Sequence, residues 1–155
     1  MKQEVYTDLK GRAIVLADLD AEERQMVEEL KTYAAAHPDW NEYGNYWIPK
    51  VHALYAARGL SRKEVIGTDL WRIAQDIGGR IAVAAGLARA PDYRDDLEEL
   101  IKTRFQTRRE FCEATGLSED MVSHVLAKRK HLAVDTLASA LNRIGYTLHI
   151  APQHR

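Results

Sequence analysis

Thr107-Arg108-Arg109-Glu110-Phe111-Cys112-Glu113-Ala114-Thr115-Gly116-Leu117-Ser118-Glu119-Asp120-Met121-Val122-Ser123-His124-Val125-Leu126 reads as two short helices joined by a tight turn. Thr107 is followed three residues on by Glu110, the spacing of a helix N-cap and its acidic partner. Phe111, Cys112 and Ala114 then supply an apolar face. Gly116 has no Cβ to clash in the φ > 0 conformation, so the chain can turn sharply there. Leu117 plugs the turn. Ser118 caps a second helix, in which Val122, Val125 and Leu126 recur at helical spacing. Helices joined so tightly must pack closely, which favours a small side chain at the contact, and Cys112 provides one.

The pattern extends in both directions. Leu97, Leu100, Ile101 and Phe105 define an amphipathic helix before this pair. After it, Asp135 opens a helix with Leu137, Ala138, Leu141 and Ile144 inside and Gly145 closing it, and Tyr146-Thr147-Leu148-His149-Ile150 alternates like a strand. Ala90-Pro91-Asp92 is the best boundary in the chain. It divides a region 1–91 from a region 92–155.

Upstream, Ala13-Ile14-Val15-Leu16 is a β-favouring run, with a turn at Lys10-Gly11. Asp20 and Glu23 form a capping box for a helix carrying Met26, Val27, Leu30 and Tyr33 to about Ala36, and His37-Pro38-Asp39 ends it. Pro49 is expected in the first turn of a helix with Val51, Leu54 and Tyr55, closed by Gly59. Ser61 with Glu64, and Thr68-Asp69, mark further starts. Leu70, Trp71, Ile73, Ala74, Ile77 and Ile81 fit helical spacing. Gly78-Gly79 weakens that helix by roughly 1 kcal/mol per glycine, so a kink is expected. The aromatic run Trp40, Tyr43, Tyr46, Trp47 and Tyr55 is read as core, with an effector pocket or partner groove as the alternative. Gly78-Gly79-Arg80 lacks a preceding strand and the spacing of a phosphate loop, so it is read as helix packing. The fold class expected is mainly α, with short terminal β segments.

Composition narrows the function classes. The chain has 155 residues, 46% hydrophobic and 29% charged, the balance of a globular protein with a real core. No apolar run reaches the ~18 residues of a bilayer span, and no apolar region follows Met1-Lys2-Gln3-Glu4, so neither membrane insertion nor a secretory leader is expected. Cys112 is the only cysteine. A disulfide within the chain is excluded, and a reducing cytoplasm is the expected location. None of the six histidines pairs with another ligand at metal spacing. No metal site and no cofactor are expected. Net charge is −1, but it is unevenly spread. Residues 102–130 hold seven Lys and Arg against four Asp and Glu, clustered at the two ends of that window.

The segment 107–126 resembles the helix-turn-helix core of the Cro/C1-repressor (Xre) family. The match rests on Glu110, Phe111, Cys112, Gly116, Leu117, Ser118, Val122 and Ser123. Asp135-Thr136-Leu137-Ala138 and Ile144-Gly145 match that family's fourth helix and its ending. Ala127-Lys128 stands where the family often has glycine. The resemblance implies a lambda-repressor-like domain in the last third of the chain that lays its second helix in the major groove of double-stranded DNA. A sequence-specific transcriptional regulator, binding its operator as a homodimer, is the function it implies. The strand-like tail also resembles that of some antitoxins, which would make the protein an antitoxin repressing its own operon. A toxin or a small-molecule effector would then act through residues 1–91. A third reading, a small enzyme with a DNA-targeting tail, finds no nucleophile–base or paired-carboxylate constellation, and no catalytic residue is assigned.

On this reading Ser123 and His124 face base edges. Arg108 and Arg109 sit where the supporting helix, capped by Thr107, crosses the backbone. Lys128, Arg129 and Lys130 follow the recognition helix as a phosphate clamp, or form an ordinary solvated loop. Ser118, Glu119 and Asp120 lie at the helix end nearest DNA. The two acids favour the helix dipole and repel phosphate, and Asp120 could accept from cytosine N4.

Overall fold

A computed structural model describes residues 2–150. The chain divides into two compact units, the first ending at Ala90 and the second beginning at Pro91. Among the described residues there are eight α-helices and one two-stranded sheet, so the fold is mainly α. No described helix is long and apolar enough to cross a membrane.

The first unit opens with a hairpin of β1 (Val5–Thr7) and β2 (Ala13–Val15), antiparallel, with Tyr6 opposite Ile14. Its turn is built on Asp8. That carboxylate accepts the backbone N–H groups of Lys10 (2.9 Å) and Arg12 (2.8 Å) and the Arg12 Nε–H (2.9 Å). Burial alone would raise the Asp8 pKa, but the bonds and charge from Arg12, with the Lys10 N–H, hold it below its ordinary value. Helices α1 (Ala21–Ala35), α2 (Trp40–Ala56), α3 (Arg62–Ile66) and α4 (Asp69–Ala84) follow.

Each of these helices starts on a side-chain cap. The Asp20–Glu23 and Ser61–Glu64 boxes form in both halves. Thr68 accepts the Trp71 N–H at 3.2 Å. Asp39 accepts the Glu42 N–H at 2.8 Å and so starts α2 at Trp40, which corrects the sequence expectation: Pro49 lies inside this helix and not in its first turn. The proline forfeits one helical hydrogen bond. The stripe Tyr43, Trp47, Val51 and Tyr55, at every fourth residue, is buried and keeps the helix in place on both sides of it. Most of the aromatic run thus goes to the core, while Trp40 remains 51% exposed.

Gly78-Gly79 does not interrupt α4, which runs unbroken from Asp69 to Ala84. Gly78 answers a packing need instead. A Cβ there would lie 3.3 Å from Cε1 of Tyr43, whose buried ring is also tethered by its hydroxyl to the Ala74 carbonyl at 2.9 Å. Arg80 is engaged as well, donating to Asp76 (2.9 Å) and to the Thr7 carbonyl (2.7 Å). Asp76 further accepts the Tyr6 hydroxyl and the Leu9 N–H, so one carboxylate on α4 anchors the hairpin.

The second unit consists of α5 (Tyr93–Arg104), α6 (Arg108–Thr115), α7 (Glu119–Leu126) and α8 (Val134–Arg143). Their core is Leu97, Ile101, Phe111, Cys112, Val122, Val125, Leu126, Leu132, Leu137 and Leu141. Helix α5 packs on α6 and α7, and α6 on α7 and α8. Two expected core positions shift. Ala114 is exposed and Thr115 is buried in its place, its hydroxyl satisfied by donation to the Phe111 carbonyl at 2.8 Å. On α8 Ala140 is buried and Ala138 only half-buried. That helix starts at Val134 without a side-chain cap, with Asp135 in its first turn. The expected terminal β segments are found only at the N-terminal side. Tyr146–Ile150 forms no strand, and strand geometry needs a neighbour to complete its ladder. Tyr146 instead caps α8, its N–H reaching the Leu141 carbonyl at 2.9 Å.

The two neighbouring glycines of α4 should respond differently to alanine. At Gly79 a Cβ would meet Leu9 at an ordinary 3.5 Å. Gly79→Ala should therefore stabilise the protein by up to about 1 kcal/mol through helix propensity. Gly78→Ala must displace the tethered Tyr43 ring and should destabilise by about 1 kcal/mol net, overpacking outweighing propensity. Urea unfolding midpoints of the two variants would read the difference; equal shifts would contradict it.

Candidate nucleic-acid interface

The α6–turn–α7 element is set by caps and one left-handed residue. Thr107 accepts the Glu110 N–H at 3.1 Å and starts α6. Glu110 does not close the expected box onto the Thr107 N–H; its carboxylate reaches one residue further back, to the Gln106 N–H at 3.1 Å. Gly116 takes φ +80° and its N–H closes on the Cys112 carbonyl at 2.9 Å. The backbone conformation asks for glycine here. An L side chain is strained at this φ, and a Cβ would also have to push aside the tip of the exposed Arg143 side chain, 2.4 Å away at Nη1. Ser118 then accepts the Met121 N–H at 3.1 Å and opens α7.

Helix α7 turns Val122, Val125 and Leu126 into the core. Asp120, Ser123 and Ala127 point outward and His124 is half-buried at the edge of the same face. Ser118 and Glu119 are exposed at its start, and Met121, 37% exposed, flanks it. Nothing in the spacing of Met121 separates a partly exposed apolar residue from a core one, so the sequence alone does not place it on this face.

The supporting helix contributes arginines to this face. Arg108 Nη1 donates to Ser123 Oγ at 3.2 Å, so a residue read as a backbone contact and one read as a base contact stand side by side. Arg109 is exposed and pairs along its own helix with Glu113 at 3.3 Å. Cys112 is buried between these elements; its thiol is pushed up first by burial and then by the charge of Glu119, with Arg108 opposing. A thiol held in that direction is a packing group and a poor nucleophile.

The basic cluster after α7 is divided. Arg129 and Lys130 are exposed. Lys128, expected in the clamp, is paired within its own unit. Its ammonium lies 3.0 Å from Asp95 and 3.9 Å from Asp92, with the side chain 23% exposed, and its backbone takes φ +64°. That backbone conformation costs a non-glycine residue about 1 kcal/mol.

The partners of Lys128 belong to a group that sequence reading missed. Arg94 is 4% exposed and grips Asp92 with Nε (3.0 Å) and Nη2 (2.6 Å), while Nη1 donates to the Lys130 carbonyl at 3.2 Å. The Tyr93 hydroxyl accepts the Leu132 N–H at 2.8 Å and lies 3.1 Å from Nδ1 of His131. The one available signal was Asp92 at capping-box spacing from Asp95, and that box forms. A buried arginine two residues after a cap has no periodic signature.

These charges set the pKa directions. The Arg94 hydrogen bonds hold the Asp92 carboxyl well below the carboxylate range, against some burial, with Lys128 adding to the effect. Asp95 is raised by burial but lowered more by the Asp92 N–H and Lys128, for a net fall.

Among the described residues no cluster of His, Cys, Asp or Glu is placed to hold a metal. Comparisons of the chain with family models, curated proteins and solved structures return no match.

A depressed carboxylate contributes stability above its unfolded pKa and loses it as pH falls through the folded value. The Asp92 contribution should accordingly be complete above about pH 4, the unfolded value, and decline below it. Asp92→Asn should flatten the acid limb of the stability–pH curve. Denaturation midpoints measured from pH 6 downward check this; an acid limb as steep as in the unaltered protein would refute it.

Proposed function

We propose that residues 91–150 form a sequence-specific, double-stranded-DNA-binding helix-turn-helix unit and that the protein is a transcriptional regulator. The observation that carries the reading is the outward face of α7. Asp120, Ser123 and His124 stand on one side of a short helix, with Asp120 and Ser123 exposed and Arg108 bonded to Ser123, and exposed arginines lie before the turn, Arg129 and Lys130 after α7. Major-groove docking needs this combination: a helix narrow enough for a ~12 Å groove, polar side chains along its free face and cations where the backbone passes.

The Arg108–Ser123 bond refines the roles. Arg108 stands over the reading face, so it is assigned jointly with Ser123 to the groove. Arg109, Arg129 and Lys130 are assigned to phosphate. Thr107, Ser118 and Glu119 act mainly as helix caps and first-turn residues, and Asp120 is the candidate partner for a cytosine amino group. One short helix reads few base pairs, so the operator-bound form is proposed to be a homodimer, in the cytoplasm.

Selection of bound duplexes from a random pool tests the reading directly. A recovered consensus with two related half-sites is expected; recovery of no consensus, with no affinity for random duplex, would refute it. Single substitutions separate the roles. Ser123→Ala or His124→Ala should relax preference at one or two base pairs by about 1–3 kcal/mol for a good contact. Arg129→Ala should weaken binding to all sequences and lower the slope of log K against log salt by about one unit.

A further inference from the structure

The helices α2, α4, α7 and α8 close with one hydrogen-bond pattern. In each, a left-handed residue donates three residues back and its successor donates five residues back, as in Lys128 N–H to Val125 O (3.0 Å) and Arg129 N–H to His124 O (2.9 Å). The left-handed residue is Gly59, Gly86 and Gly145 after α2, α4 and α8. After α7 it is Lys128. Glycine would take that backbone conformation without strain, and His37, exposed after α1, is left-handed as well, so the role of Lys128 is read from its side-chain contacts.

What it supplies is a tie to the start of α5. Lys128 reaches Asp95 and Asp92, Arg94 holds the Lys130 carbonyl, and Tyr93 holds the Leu132 N–H and the His131 ring. The segment after α7 is thereby fastened on both sides of Arg129, yet the side chains of Arg129 and Lys130 are left exposed. A cation carried on a fastened backbone loses less freedom when it meets its partner than one on a free loop.

We propose that Tyr93, Arg94 and Lys128 are positioning residues: they touch no DNA themselves and hold the segment 128–132 so that Arg129 and Lys130 meet the phosphates beside the groove. The proposal rests on the DNA-binding reading above.

The test is a double-mutant cycle on the full chain with random-sequence duplex DNA at low salt, about 50 mM, where phosphate contacts dominate. Tyr93→Phe removes one hydroxyl and no charge. It should speed amide exchange at Leu132 and weaken binding about fivefold, within the range for coupled neighbours. In an Arg129→Ala/Lys130→Ala background the same change should have no effect on binding, because the cations it positions are gone. Lys128→Gly, which keeps the backbone turn and removes the tie, should behave alike and covers the case of a poorly folded Tyr93→Phe. Equal losses in both backgrounds, as for a direct phosphate contact at Lys128 or general destabilisation, would overturn the proposal, as would unchanged binding. Failure of the unaltered protein to bind any duplex would instead sink the DNA-binding reading, and the positioning role with it.

Discussion

The backbone of Gly116 is the constraint on which the second unit turns. With φ at +80°, the chain reverses between α6 and α7 within a few residues, and both helices then share one core through Phe111, Cys112, Val122 and Val125. The turn is also sealed from the side. Arg143 on α8 sends Nη1 to the Thr115 carbonyl at 3.4 Å, across the space a Cβ on residue 116 would occupy. Thr115, buried beside it, satisfies its own hydroxyl on α6 and accepts the Leu117 N–H at 3.4 Å. A change at this glycine would be felt first in the backbone of the turn, where φ +80° strains any L side chain, while the exposed Arg143 side chain can swing aside.

Electrostatics around α7 are arranged by position more than by total charge. Glu119 and Asp120 occupy the first turn, where the helix dipole favours them. They also place negative charge at the end of the face proposed to meet DNA, so attraction has to come from its flanks. Arg108 answers on one side, across the Ser123 hydroxyl, and Arg129 with Lys130 on the other. On the proposed DNA-binding reading, a face made this way would take its affinity from side-chain geometry more than from net charge. That suits discrimination between sites better than general attraction to nucleic acid.

The first unit is held by a different device, the close approach of an aromatic side chain to a helix without a Cβ. Tyr43, fully buried, lies against Gly78 and bonds the Ala74 carbonyl, and burial pushes its hydroxyl above the ordinary tyrosine range. A neutral phenol is the form such a site accepts. Nearby, Tyr33 and Tyr46 stack with centroids 3.8 Å apart, and Trp47 meets Trp71 edge-on at 4.5 Å. The aromatic run along α2 therefore works as packing against α1 and α4, meeting Tyr33 on the one and Trp71 on the other.

Local signals in the amino-acid order determined the starts and stops: the Asp20–Glu23 and Ser61–Glu64 boxes, the Thr68 and Ser118 caps, and the left-handed glycines 59, 116 and 145 all form as read, because each depends on atoms within a few residues. The helical apolar spacing likewise determined the mainly α class and the buried face of α7. What the order alone left undecided needed partners far along the chain. Pro49 sits inside α2 because a buried stripe holds the helix through it; Gly78 is packing because Tyr43 lies across it; Tyr146–Ile150 is no strand because it has no ladder to join. Lys128 faces inward because Asp95, 33 positions earlier, stands next to it only after α5 has packed on α7. Capping and periodicity are local energies that a short window contains, whereas the direction a charged or aromatic side chain takes depends on which distant surface tertiary packing brings within a few ångströms of it.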